Sequence, residues 1–327
     1  MAHRVTRRHL VRTACPGVFL ARALAQQRIG PPEHVKGPKV FLDYDQVELD
    51  AAYNQAAYAP NANQIQGRLA HASELVRARL GEPKRVAYGP SNVERLDIFR
   101  TTGAQAPVHI FVHGGAWRGG SAAGSAYPAE MFMNAGAHYI ALDFVRVQDA
   151  NGSLMVMAEQ VRRAIAWVSK NAASFGGDPA RLYVSGHSSG AHLAAVALTT
   201  DWRKDFGLPQ DIVKGALLSG GIYDLKGPRL SSRSAYVKFD DVTEEALSPQ
   251  RHLDKLHTPL IVGYGSLETP EFQRQSREFA AAMKAQAKPV ELMRAENYNH
   301  FELIETLGNP YGILGRAALV QMGLAKA

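Results

Sequence analysis

The sequence predicts an α/β fold: a mostly parallel sheet of about eight strands flanked by helices, with an N-terminal helical segment. Two observations carry this. From Arg85 onward, short apolar runs rich in β-branched and aromatic residues alternate with segments of helical periodicity. Three motifs with chemical potential also fall where such runs end, at the carboxyl edge where sheets of this class do their chemistry. A chain of 327 residues, 46% hydrophobic and 20% charged, suits one large domain.

The helical segment comes first. In "DYDQVELDAAYNQAAYAP", Asp45 and Glu48 have capping-box spacing. Leu49, Ala52, Tyr53 and Ala56 then share one face, and Pro60 ends the run. "RVAYG", "LDIFRT", "PVHIFVHGG" and "HYIALDFV" read as strands. From Ser153, a helix buries Leu154, Met157, Val161, Ile165 and Val168, and Gly176 and Gly177 stop it. The strand "RLYVSG" leads into the helix "SGAHLAAVALTT". After the strand "VKGALLSGG", "SPQRHLDKL" reads as a helix with Ser248 as its cap and Pro249 at its first position. The strand "PLIVGYG" precedes a helix capped by Thr269, and "PVELMRA" is the last strand, with a helix following His300.

Charge argues against a nucleic-acid partner. The net charge is +7, but residues 1–25 hold Arg4, Arg7, Arg8, Arg12 and Arg22 and no acid. That leaves 32 of the 37 basic residues against all 30 acidic ones, with no aromatic-interleaved basic cluster to track phosphates. The basic start reads instead as a twin-arginine leader over residues 1–25: "TRRHLV" precedes a modest apolar segment and the small-x-small Ala23-Leu24-Ala25. The expectation is a periplasmic or secreted protein, or a cytoplasmic one without the leader. Residues 26–40, Pro/Gly-rich, form a linker, and 41–327 the domain. No apolar run is long enough for a membrane anchor. Cys15, the only cysteine, lies in the leader, and no His-Glu-x-x-His or Cys-x-x-Cys occurs, so no metal site is expected; no cofactor is expected either.

Gly186-His187-Ser188-Ser189-Gly190 fits Gly-x-Ser-x-Gly and joins a strand directly to a helix. A turn that sharp strains its central residue and lifts that side chain above the sheet. The register selects Ser188, not Ser185 or Ser189, as nucleophile. A serine hydroxyl needs a base. His187 is adjacent, where consecutive side chains diverge, and His192 lies a turn down the helix, so both read as structural. His300, just after the last strand, is the base. Glu268, leaving the end of "PLIVGYG", is the acid that holds the imidazole's tautomer. Its rival Glu271 falls in a helical first turn, where a carboxylate is favoured without any catalytic duty.

"FVHGGAWRGG" follows the third strand. The amides of Gly114, Gly115 and Ser189 are candidate oxyanion donors, each worth roughly 2.7–4 kcal/mol in a transition state. His113 should brace the loop by hydrogen bonding. Trp117 is a candidate substrate-pocket residue or simply packs the loop down, and Arg118 is a candidate partner for an anionic group or a solvated surface charge.

"HGGAW", "GHSSGAHL", "GSLETPEFQRQSREFA" and "NHFELIETL" resemble the α/β-hydrolase branch of arylformamidases (kynurenine formamidases), close to the hormone-sensitive-lipase-like esterases. The resemblance runs from about Tyr44 onward. It implies an α/β-hydrolase fold and a serine hydrolase that uses Ser188, Glu268 and His300. The expected partner is a small-molecule acyl amide or ester, with room for a homo-oligomer. A short-chain carboxylesterase is the alternative, and a non-catalytic binding protein on the same fold the third reading.

Overall fold

A computed structural model describes residues 29–326. The expected leader and Cys15 lie outside the described residues. Residues 29–40 form no helix or strand but are tied down: His34 and the Gly37 amide both bond the Asp45 carboxylate.

Among the described residues, eight strands form one sheet: β1 Lys84–Ala87, β2 Arg95–Phe99, β3 Ala106–Val112, β4 His138–Asp143, β5 Gly177–His187, β6 Val213–Ser219, β7 Leu260–Gly265 and β8 Val290–Ala295. Their order is β1-β2-β4-β3-β5-β6-β7-β8. β1, β2 and β4 pair antiparallel, and every pair from β4 to β8 is parallel. The helices are α1 Gln46–Ala52, α2 Ala62–Leu80, α3 Ala129–Asn134, α4 Leu154–Asn171, α5 Ser189–Leu198, α6 Trp202–Phe206, α7 Lys226–Leu230, α8 Asp241–Ala246, α9 Pro270–Ala285, α10 His300–Glu305 and α11 Ile313–Gln321.

Strand periodicity explains the layers, because successive side chains leave opposite faces. Ile110, Ile140, Val184 and Leu218 pack with α4, α5 and α9 on one face. Phe111, Tyr139, Leu217 and Ile261 pack with α3, α10 and α11 on the other. Each such fully buried aliphatic contributes about 1.5–3 kcal/mol. The parallel register sets Val112 beside Gly186, His187 beside Ser219, and Gly265 beside Ala295. The loops after β3, β5, β6, β7 and β8 therefore leave one edge of the sheet together.

Three local readings change. The Asp45–Glu48 capping box forms, but α1 stops at Ala52: the Asn54 side chain bonds the Ala56 amide and starts a 3₁₀ turn, leaving Ala56 exposed. Ser248–Leu256 is two 3₁₀ turns rather than a helix. The Ser248 hydroxyl accepts from the Leu225 amide and donates to Glu244 O, so it is not free to cap. Helix α2 was not foreseen, since its apolar stripe is sparse; its buried residues are Ala62, Ile65, Ser73 and Val76. No helix among the described residues is long and apolar enough to cross a membrane.

Candidate active site

Ser188 sits between β5 and α5 with φ 58° and ψ −127°. That is a costly region for a residue with a Cβ, and close packing holds it there. A Cβ on Gly190 would lie 2.1 Å from Val112 O, and one on Gly186 would lie 2.5 Å from Gly190 O. The strand-to-helix turn therefore tolerates only glycine at both places. The Ser188 amide donates to Ser219 O at 2.9 Å, fixing the turn to β6. Ser185, by contrast, is buried in the sheet against His109 Nε2 at 2.7 Å.

His300 opens α10, and the local sequence fixes it. Asn299 accepts from the amides of Phe301 and Glu302, while the Glu302 carboxylate accepts from the Asn299 amide. Asn61, just before α2, bonds both Asn299 and Glu302 through its side chain. The unforeseen helix thus anchors the histidine loop. The ring is buried, 4.2 Å from the His187 ring and 5.3 Å from Phe272 between centroids.

Glu268 lies in the turn after β7, its amide bonded to Gly265 O at 3.1 Å. Its Oε1 is 3.3 Å from His300 Nδ1, within ion-pair distance though the two form no hydrogen bond in this conformation. Glu271 is committed elsewhere: it accepts from the Tyr53 hydroxyl at 2.9 Å and from Arg274 at 2.7 and 2.8 Å. Burial pushes His300 down to about 3, with the positive charge of Arg233 adding to the push. Burial pushes the Glu268 carboxyl up to about 8, against the Gly265 backbone, which lowers it. A neutral imidazole is the form that can take a proton, and the adjacent carboxylate is placed to stabilise the cation that results.

Ser188, His187, His300, Gly114, Gly115 and Arg118 line one cavity of about 1150 Å³. Ser188 and His300 make no hydrogen bond in this conformation; such contacts commonly tighten when substrate binds. Gly114 abuts the elbow, since a Cβ there would stand 3.0 Å from the Ser188 Cβ. Among the described residues, the amides of Gly114 and Gly115 meet no protein acceptor. Ser189 begins α5, and its hydroxyl accepts from the Trp117 amide at 3.1 Å, drawing the glycine loop toward Ser188.

The other expected residues divide. His113 bonds Gly114 O at 2.9 Å and stacks on Phe144, bracing the loop. His192 accepts from the Trp117 indole at 3.2 Å and bonds Leu247 O, a structural role. His187 bonds the Ser219 hydroxyl at 3.1 Å but also reaches the cavity, closer to the site than expected. Trp117, expected in the substrate pocket, is 1% exposed and is not on the cavity wall: its indole bond to His192 pulls it into the core, where it packs the loop down. Arg118 is on the wall, over the Tyr236 ring at 4.6 Å.

Two site residues escaped sequence reasoning. Gly220, after β6, has φ +52°, and a Cβ on it would lie 2.7 Å from Glu268 Oε1 and 2.8 Å from His300 Nδ1. Arg233 is on the cavity wall and buried. The glycine ending a strand was a usable signal; the arginine, in an irregular stretch, gave none. Away from this cavity, His34, Asp45 and Glu48 bring three possible metal-ligand atoms together. Asp45 is spent on capping α1 and Glu48 on Lys36 at 2.9 Å.

The chain is similar to known hydrolases. The BD-FAE family model matches residues 96–215. A kynurenine formamidase from Salmo salar is 34% identical over 73% of this chain and 81% of its own length. Esterase LipQ of Mycobacterium tuberculosis is 31% identical over 68% of this chain and 58% of its own. Among solved structures, a putative thioesterase from a Silicibacter species superposes with a TM-score of 0.70 at 22% identity, covering 86% of this chain and 99% of that one.

Proposed function

Because the chain belongs to the kynurenine formamidase family of α/β-hydrolases, we propose that Ser188, His300 and Glu268 form its catalytic triad and hydrolyse a small acyl amide through an acyl-enzyme. One observation carries the reading: a strained, cavity-facing serine shares its pocket with a histidine whose Nδ1 stands 3.3 Å from a buried carboxylate.

The Ser188 Oγ attacks the substrate carbonyl as His300 Nε2 takes its proton. Glu268 holds the proton on Nδ1 and stabilises the imidazolium. The amides of Gly114, Gly115 and Ser189 donate to the oxygen that becomes negative. His300 then gives its proton to the leaving amine, the carbon–nitrogen bond breaks, and the acyl group stays on Ser188. Water, activated by His300 in turn, releases the acid and restores the serine.

An ester enters the same cycle with an alcohol as leaving group, and the likeness to esterase LipQ favours this as the second reading. Turnover of N-formylkynurenine beside p-nitrophenyl acetate and butyrate separates the two. The first reading expects hydrolysis of the formamide. Turnover of the esters alone would replace it with the second.

A further inference from the structure

Arg233 follows Ser231 and Ser232 in a short 3₁₀ turn after α7, with only 6% of its surface exposed. A buried guanidinium ordinarily sits against a carboxylate, because desolvating an unpaired charge is costly. Here no carboxylate lies within ion-pair distance among the described residues. Its hydrogen bonds are one from Nη2 to Tyr53 O at 2.9 Å and a long one from Nη1 to the Tyr236 hydroxyl at 3.4 Å. The buried Nε has no partner. Two of five N–H donors are therefore used.

The aromatic rings of Trp117, Tyr53 and Phe272 surround the guanidinium at 5.1–5.9 Å. They hold it in place without satisfying its remaining donors. It is on the wall of the cavity that holds Ser188 and His300. Arg118 shares that wall. The acidic side chain there, Asp50, is engaged by the Ser232 amide at 2.6 Å and by Gln46. The cavity thus has an excess of positive charge, and on its wall stands a guanidinium with no counter-ion and an unpartnered Nε.

We propose that Arg233 is the specificity-determining residue of this site, and that it selects amides or esters that carry a carboxylate. A planar guanidinium with adjacent free N–H groups matches a carboxylate's two oxygens. An incoming carboxylate supplies the counter-ion that the fold omits. A neutral substrate leaves the arginine unpaired. Arg118, exposed and stacked on Tyr236, is secondary.

The proposal rests on the triad reading for its kinetic test, so a binding test accompanies it. Two matched pairs are compared: mono-p-nitrophenyl glutarate with its methyl ester, and p-acetoxybenzoate with its methyl ester. The first puts the carboxylate on the acyl side, the second on the leaving group. In one pair, kcat/KM should favour the carboxylate by roughly 10- to 100-fold, the discrimination that hydrogen bonds to a charged group supply. The ratio should fall to about 1 in Arg233→Gln and partly return in Arg233→Lys. No preference in either pair overturns the proposal. So does a preference that survives Arg233→Gln, or one that only Arg118→Gln removes. Calorimetric titration of Ser188→Ala with benzoate and benzamide needs no turnover. Tighter benzoate binding is expected, and equal binding overturns the proposal whether or not the triad acts. Failure of every ester to react with the wild type, with benzoate still preferred, would count against the triad alone.

Discussion

Gly220 and Glu268 are so close that a single methyl group on the glycine would stand 2.7 Å from the carboxylate Oε1. The same methyl would press on His300 Nδ1 at 2.8 Å. The placement of Glu268 beside His300 therefore depends on a residue whose own side chain is a single hydrogen. Gly220→Ala should displace the pair and strain a backbone at φ +52°. We expect kcat to fall about 100-fold, the order of loss from a displacement near 1 Å, with a smaller change in KM. Unchanged kcat in a folded Gly220→Ala protein would remove the crowding argument.

Glu268→Gln keeps the shape but loses the charge and the tautomer control. By the loss seen when a triad carboxylate becomes an amide, kcat should drop about 10⁴-fold. Glu271→Gln should act on stability instead, because it removes the charge that pairs with Arg274 within α9 and weakens the bond from Tyr53, which ties the end of α1 to α9. Steady-state kinetics and thermal melts on the two variants make the comparison. Exchanged phenotypes would exchange the assignments.

The buried acid links activity and stability with opposite signs. On the proposed triad, the active form needs Glu268 ionised and His300 neutral. His300, pushed down to about 3, stays neutral across the working range, while Glu268, pushed up to about 8, gates the acid limb. Activity should rise as pH climbs toward about 8. For stability, a carboxyl raised on folding contributes most below its unfolded value and loses that contribution as pH rises through its folded one. Glu268→Gln should therefore gain stability relative to the wild type between about pH 4.5 and 8. Paired melts across that range check it; a difference independent of pH would contradict the burial effect.

The histidine loop hangs on asparagines. Asn299→Ala removes the cap of α10 and should cost about 0.5–2 kcal/mol. Asn61→Ala should leave that cap but free the loop from α2. Both should lower kcat more than they raise KM, since they act on the placement of the base. Urea unfolding with initial-rate kinetics tests each variant.

Much of this was legible before any coordinates. That Ser188, Glu268 and His300 come together could be read because a parallel sheet gathers strand ends, and each residue follows a strand with a clear apolar signature. What the sequence hid depends on long-range packing. Arg233 belongs to an irregular stretch, and its meaning lies in what is missing around it. Between lining the pocket and packing the loop, Trp117 takes the second place because of its bond to His192, far along the chain. Ser248 has the spelling of a helix cap, but a tertiary bond from Leu225 claims its hydroxyl. Helix α2 was obscured by a polar surface that masks a narrow buried stripe.

The most direct measurement is mass spectrometry of the protein after reaction with a fluorophosphonate. The triad reading requires one adduct per chain, on the peptide bearing Ser188, absent from Ser188→Ala and strongly slowed in His300→Ala. An unlabelled wild type, or a label that Ser188→Ala retains, would contradict it.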